Sequence, residues 1–167
     1  RRVEVGMVAR RPRLGRDEAR RRLGLDGRPT ALVSFGGIGF PGLRREVLER
    51  TPGVAWLLPG ELDGDRLGAL GLDYPDVVAA ADVVVTKPGY GIVSDAAAAG
   101  TRLVYTDRGD FPEYPVMVRE LPRWVAAVHV PREALLAGRL EAPIREVLAR
   151  PLPVPPPLDG AARAAGH

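Results

Sequence analysis

Residues 82–100 decide the fold: Asp-Val-Val-Val-Thr-Lys-Pro-Gly-Tyr-Gly-Ile-Val-Ser-Asp-Ala-Ala-Ala-Ala-Gly. The β-branched run over 82–85 predicts a buried strand of a parallel sheet. The two glycines of the following turn, 88–91, allow it to adopt positive φ and bring the backbone close to a ligand. A helix is predicted from about Gly91 to a glycine cap at Gly100. A strand, a glycine turn and a helix N-terminus in this order are typical of an anion site.

Lys87 is the single lysine of the chain, since all the other 23 of its 24 basic residues are arginine. A compact ammonium group suits contact with a phosphate, which would explain a lysine in an arginine-rich background. The alternative is a surface lysine without a ligand. Both interpretations stay open at this point.

Length and composition limit the class of protein. The 167 residues suit one domain, and 46% hydrophobic with 5% aromatic residues predicts a core of valine, leucine and alanine. The chain has no cysteine, which excludes disulfides and thiolate metal sites. It also has no asparagine or glutamine, which indicates a thermophilic host.

The charge pattern argues against nucleic acid as a partner. The net charge is +3 and the pI about 9.8, but arginines alternate with acids at helical spacing, as on solvated helix faces. No basic block is interleaved with aromatic residues. We see no apolar run long enough to span a membrane and no signal peptide, and therefore expect a cytoplasmic protein. The start inside a predicted strand suggests a piece of a longer chain.

Strands alternate with helices along the sequence, with short glycine loops between them. The pattern predicts an α/β class: a single Rossmann-like domain over 1–150 with a doubly wound, mostly parallel sheet. A proline-rich connector and a short helix follow over 151–167. Predicted strands are 3–8, 30–35, 54–58, a short edge strand at 67–72, 82–85, 102–105 and 125–130; predicted helices are 15–25, 43–50, 76–81, 91–100, 113–121, 131–136, 142–149 and one from Asp159.

The loop after the strand 30–35 contains Gly37-x-Gly39-x-x-Gly42, the letters of a dinucleotide fingerprint. Pro41 stands where that fingerprint offers an N–H group. The next acidic residues lie beyond a Pro-Gly turn, at Glu61 and Asp63. Nicotinamide binding, a plain strand-to-helix turn and phosphate contact shared with the second glycine loop are the three alternatives. Ligands of such sheets bind beyond the carboxyl ends of the strands, so both loops could face one crevice.

Ser94 and Asp95 are predicted in the first turn of the helix that follows Lys87. An acid there stabilises the helix through the dipole alone, by about 0.3–1 kcal/mol. It would also repel a phosphate unless it served another group. The ribose of a nucleotide is such a group, since one carboxylate can accept hydrogen bonds from both of its hydroxyls.

Residues 87–95, Lys-Pro-Gly-Tyr-Gly-Ile-Val-Ser-Asp, resemble the donor-binding signature of GT-B glycosyltransferases. The similarity is to the C-terminal half of the MurG and galactolipid synthase group. The chain also resembles the glycosyltransferase-like half of plant arabinose kinases, through this stretch and a later Asp110-Phe111-x-Glu113 pattern. Two departures stand out: Asp95 replaces the usual glutamate, and Ile92 replaces a common threonine.

The resemblance implies that the glycine loops and the helix N-terminus hold a diphosphate, that Asp95 holds the ribose, and that Asp110 or Glu113 contacts the sugar. The implied donor is a nucleotide-diphosphate sugar, UDP rather than GDP, bound as a substrate with no further cofactor and no metal. The candidate binding residues are Gly36, Gly37, Ile38, Gly39, Lys87, Gly89, Tyr90, Gly91, Ile92, Val93, Ser94, Asp95, Asp110 and Glu113.

We assign no catalytic residue in the sequence. His129 ends an apolar strand with no carboxylate nearby in the chain, which favours a structural histidine over a base. The resemblance places the acceptor and its base in an N-terminal domain of the same protein, so the isolated domain should bind a donor but hardly turn it over. The alternatives are a non-catalytic nucleotide-sugar-binding or interaction domain and, more remotely, an NAD-binding oxidoreductase domain.

Overall fold

A computed structural model describes residues 6–36 and 39–165. Within them, five strands form one parallel sheet in the order β2-β1-β3-β4-β5. The strands are β1 (Thr30–Ser34), β2 (Ala55–Leu57), β3 (Val83–Thr86), β4 (Arg102–Tyr105) and β5 (Ala127–His129). The helices are α1 (Arg16–Arg22), α2 (Arg45–Leu48), α3 (Gly64–Leu70), α4 (Tyr74–Ala80), α5 (Tyr90–Ala99), α6 (Tyr114–Trp124), α7 (Arg132–Leu136), α8 (Glu141–Ala149) and α9 (Gly160–Ala165), with a 3-10 turn at Pro59–Glu61.

The sheet is covered on both faces, because alternate side chains of its strands enter two separate cores. One face carries Leu32, Val84 and Leu103, which pack with residues of α1, α4, α5 and α6. The other face carries Val33 and Val85, among others, and packs with residues of α2, α7 and α8. A parallel sheet buried on both faces is the doubly wound α/β architecture predicted from the sequence, which the structure confirms.

Arginine side chains join α1 to α4. Arg16 Nη1 donates to the carbonyls of Ala79 and Ala81 at 2.8 and 2.9 Å, and Arg20 Nη1 donates to that of Ala80 at 2.8 Å. Both guanidinium groups also pair with Asp82. The last carbonyls of α4 have no N–H donor within their own helix. These arginines supply the missing donors.

The structure corrects the prediction of an edge strand over 67–72, because this segment lies in and just after α3. The Asp63 carboxylate caps the helix by accepting from the Arg66 N–H at 2.8 Å. Gly71 ends it with a φ of 64°. Both ends of α3 are therefore capped, and Leu67 is the residue that the helix buries.

Most other predicted elements are present with shifted ends. The helix predicted over 43–50 shortens to α2, and the strand predicted over 125–130 shortens to β5. α6 runs past Pro122 to Trp124 instead of stopping at residue 121. The predicted strand 3–8 lies partly outside the described residues, and its described part, 6–8, is not a strand.

The first and last described segments lie together. The N–H of Gly160 donates to the carbonyl of Met7 at 3.3 Å, after an irregular stretch over 151–159. This contact places α9 beside the segment that leads into α1. None of the helices in the described ranges has the length and apolar character needed to cross a membrane.

Candidate functional site

A cleft of about 540 Å³ opens at the carboxyl edge of the sheet, between the ends of β1 and β3. Both glycine loops reach it, as the sequence indicated: Gly36 from one side, and residues 89–91 from the other. The residues singled out in the sequence that line it are Gly36, Lys87, Gly89, Tyr90, Gly91, Ile92 and Asp95.

The remaining predicted residues are not part of the cleft lining among the described residues. Val93 and Ser94 are buried residues of α5. Ser94 Oγ donates to the carbonyl of Gly91 at 3.0 Å. Asp110 and Glu113 are exposed, and Gly39 lies one turn away from Gly36. Gly37 and Ile38 lie outside the described residues.

The N-terminus of α5 faces the cleft. Its first internal hydrogen bond runs from the N–H of Val93 to the carbonyl of Gly89, at 3.0 Å. The N–H groups of Tyr90, Gly91 and Ile92 come before that bond, so helix geometry gives them no acceptor within α5. Three such groups and the positive end of a ten-residue helix favour an anion at this point.

The glycines of the two loops differ in backbone conformation. Gly89 has a φ of −147° and Gly91 is helical, so neither position uses the positive φ that a glycine allows. The left-handed conformation occurs instead in the first loop, with a φ of 71° at Gly36 and 64° at Gly39. At Gly89 the absent side chain makes room for a neighbour, because an added Cβ would lie 2.7 Å from Arg108 Nη1.

Among the residues that the structure describes, three cationic side chains line the cleft: Arg10, Lys87 and Arg108. Arg108 donates to the carbonyl of Pro88 at 3.0 Å, and its guanidinium lies 3.9 Å from the centre of the Phe111 ring. The ammonium of Lys87 lies 6.0 Å from the centre of the Phe40 ring. The described lining contains one carboxylate, Asp95, so this part of the cleft carries an excess of positive charge.

Asp95 lies in the second turn of α5, not in the first as predicted. Its side chain is 1% exposed and is held by Arg10, whose backbone N–H and Nε both donate to Oδ1, at 3.4 and 3.3 Å, while Nη2 pairs with Oδ2. An ionised carboxylate has about four acceptor positions, and Arg10 fills three of them. Its hydrogen bond with Asp95 is the main reason that the pKa of Arg10 is raised.

The cleft residues that were not singled out in the sequence include Arg10, Ser34, Tyr74 and Arg108. Tyr74 Oη and Ser34 Oγ lie 2.6 Å apart, and burial raises the pKa of Tyr74 above its ordinary value. Ser34 ends β1, so the rule that ligands bind beyond the carboxyl ends of strands could have found it. Nothing in the sequence indicated the other three.

His129 has a carboxylate partner that lies far from it in the sequence. A carboxylate does orient it: His129 Nε2 lies 2.9 Å from Oδ1 of Asp107, which is 22 residues away in the chain. The imidazole is 40% exposed, at the end of β5. Proximity in the sequence offered no orienting carboxylate, and the parallel pairing of β4 with β5 brings Asp107 to this histidine from 22 residues away.

The described geometry defines a Rossmann-like α/β domain with a cationic cleft at its topological switch, between β1 and β3. The structure matches that of the calicheamicin glycosyltransferase CalG4 with a TM-score of 0.54 and 19% identity, over 86% of this chain and 38% of that one. A glycotransferase of kitacinnamycin aligns at 22% identity over 83% of this chain and 38% of its own, with a TM-score of 0.49. The fold is thus the Rossmann-like half of GT-B glycosyltransferases.

Among curated proteins, an L-arabinokinase of Arabidopsis thaliana is 30% identical over 144 residues, which is 82% of this chain. The chain spans 14% of the length of that protein. No model of a known protein family matches the chain.

Proposed function

We propose that the chain is the donor-binding half of a glycosyltransferase, and that its cleft holds a nucleotide-diphosphate sugar. The observation that carries the proposal is the meeting of two glycine turns, the N-terminus of α5 and Lys87 in one cleft. These groups suit a diphosphate, which is anionic and accepts hydrogen bonds from backbone N–H groups. We also propose that, among these enzymes, the chain is most similar to the MurG and galactolipid synthase group.

The chemistry of the step explains why these groups would matter. When a sugar leaves a nucleotide, the bond between its anomeric carbon and the β-phosphate oxygen breaks and the diphosphate gains negative charge. Lys87, Arg108 and the positive end of α5 are already positioned around the cleft. They would stabilise the departing diphosphate more than the bound donor, which lowers the barrier. The acceptor would be held by an N-terminal domain of the same protein.

Asp95 has few free acceptor positions for the hydroxyls of a ribose. Because Arg10 fills three of about four acceptor positions, one position is left for a hydroxyl. We therefore propose that Asp95 serves one ribose hydroxyl, not both, and holds Arg10 at the rim of the cleft. A UDP-sugar is the donor we favour, with Asp110 or Glu113 as its sugar contact.

The nicotinamide alternative has weaker support, because the acidic residues after β2 are already used. Glu61 accepts from the N–H of Leu58 at 3.2 Å and pairs with Arg45. Asp63 caps α3. Both carboxylates thus have structural roles here, which weakens the case for either of them as a ribose acceptor.

A calorimetric titration of UDP, GDP, ADP and NAD tests the proposal. We expect UDP to bind, and Lys87→Ala to weaken it about tenfold, the effect of one charge-assisted contact. Arg123→Ala on the exposed face of α6 is the matched control and should leave the affinity unchanged. Binding of NAD alone, or equal UDP affinity in wild type and Lys87→Ala, would refute the assignment. Binding without sugar transfer by the whole protein would favour the non-catalytic alternative.

A further inference from the structure

A histidine, an aspartate and a tyrosine meet at the carboxyl ends of β4 and β5. His129 Nε2 lies 2.9 Å from Asp107 Oδ1, and the hydroxyl of Tyr114 donates to the same oxygen at 3.0 Å. The imidazole also packs against the ring of Tyr105, with 5.3 Å between the ring centres. Three elements thus fix the position of one partly exposed imidazole.

This cluster borders the proposed donor cleft. Asp107 directly precedes Arg108, which lines the cleft. The sheet register aligns Thr86, a cleft residue, with Tyr105 and then with His129. Two strand spacings separate the Cα atoms of Thr86 and His129 by about 10 Å. A sugar ring with a nucleophile beside it is of comparable size.

Asp107 determines which imidazole nitrogen of His129 carries the proton. Burial, helped by the hydrogen bond to Asp107, raises the pKa of Tyr114, so its hydroxyl keeps its proton and donates. An ionised carboxylate only accepts, so a neutral His129 must donate from Nε2–H. Nδ1 then keeps its lone pair. The nearby charged groups are Arg108 of the same loop and Arg150, whose guanidinium donates to the carbonyl of Ala127 in β5.

We propose that His129 accepts the proton of the attacking nucleophile in the sugar-transfer step, with Asp107 and Tyr114 as positioning residues. The inference rests on the proposed function and places the base in this domain. The nucleophile is an acceptor hydroxyl, or water when no acceptor is present. Its oxygen forms a bond to the anomeric carbon, the bond from that carbon to the β-phosphate oxygen breaks, and the electron pair leaves with the diphosphate. The nucleophile's proton goes to Nδ1 of His129.

Slow hydrolysis of the donor by the 167-residue chain provides the test. UDP release from UDP-glucose, UDP-galactose and UDP-arabinose is measured beside the affinity of each donor, in wild type, His129→Gln and the matched control His167→Gln. General-base catalysis contributes about a hundredfold or more, so we expect His129→Gln to lose at least tenfold in rate with donor affinity unchanged. The control should keep the wild-type rate.

The positioning role has its own measurement. Asp107→Asn should shift the Nε2 proton toward Nδ1, which the nitrogen chemical shifts of the imidazole report, and should lower the hydrolysis rate. Tyr114→Phe should lower it less.

The outcomes separate the two proposals. Failure of every nucleotide to bind refutes the proposed function, and the proton-acceptor role with it. If a donor binds but no UDP is released, or if His129→Gln hydrolyses at the wild-type rate, only the proton-acceptor role is refuted. Equal losses of rate and donor affinity in His129→Gln would also refute it, since the residue would then be a binding residue.

Discussion

Arg10 and Asp95 form an ion pair that joins the segment before α1 to the second turn of α5, 85 residues further along the chain. The carboxylate is buried, while the arginine side chain is 61% exposed at the rim of the cleft. The pair therefore serves both the packing of the N-terminal segment and the charge of the cleft.

Arg10→Met should lower the free energy of unfolding by about 1–2 kcal/mol. Removing the arginine leaves a buried carboxylate without its cation, and the exposure of Arg10 keeps the cost below that of a fully buried pair. Urea unfolding followed by circular dichroism measures it. Arg163→Met, which breaks an exposed pair between α9 and Asp159 just before it, should leave the midpoint unchanged. Equal midpoints for Arg10→Met and wild type would contradict the prediction.

Nucleotides that lack one hydroxyl test the acceptor position left on Asp95. With Arg10 in place, we expect either 2′-deoxy-UDP or 3′-deoxy-UDP to bind about tenfold more weakly than UDP, and the other within twofold. Asp95→Asn should reduce that difference, whereas Lys87→Ala should weaken all three nucleotides alike. Calorimetry that finds equal affinities for all three in the wild type would show that Asp95 does not touch the ribose.

Two glycine substitutions at the cleft should have opposite effects on stability. Gly91 is helical and a Cβ there would meet no atom within 4 Å, so Gly91→Ala should raise the free energy of unfolding by about 0.5–1 kcal/mol. Gly36 has a φ of 71°, so Gly36→Ala should lower it by about 1 kcal/mol despite equally open space. Urea midpoints decide, and a destabilising Gly91→Ala would contradict the helical conformation.

Asp76 should make stability depend on pH in the acid range. Burial alone would raise its pKa, but three backbone N–H groups, those of Asp73, Leu14 and Arg13 at 2.7–3.0 Å, outweigh burial and lower it. A lowered pKa in the folded state adds stability that is complete above the unfolded value, near pH 4, and is lost as the pH falls below it.

Asp76→Asn should therefore cost about 2 kcal/mol at pH 7, and the difference from wild type should shrink as the pH drops below about 4. Urea unfolding at a series of pH values measures this. Asp17→Asn on the exposed side of α1 provides the control and should follow the wild type throughout. A deficit in Asp76→Asn that stays constant down to pH 2 would contradict the assignment.

The sequence predicted the centre of the fold well because local signals there agree. β3, α5 and β4 each have an apolar run or an alanine face, and Gly100 ends α5 at a φ of 66°. The strand prediction for residues 67–72 failed because the leucines of this segment fit a strand as well as a helix. Asp63 and Gly71, which cap α3, were the signals that could have decided it.

The cleft could be placed from the sequence only as far as topology allows. The carboxyl-edge rule brought Gly36 and Lys87 together, since both follow strands of one parallel sheet. Arg10 and the pair of Asp107 with His129 depend on side-chain directions across long separations, for which neither periodicity nor spacing gives a signal.

The arginines between α1 and α4 bear on how the formal charge of +3 should be interpreted. The guanidinium groups of Arg16 and Arg20 join the two helices, and the Asp82 carboxylate partly offsets their charge, so they contribute less to the attraction of a distant polyanion. Replacing these arginines with lysine would preserve the behaviour of the chain on an ion-exchange column while loosening its helices, because an ammonium group lacks the rigid fork by which Arg16 reaches the α4 carbonyls and the Asp82 carboxylate together.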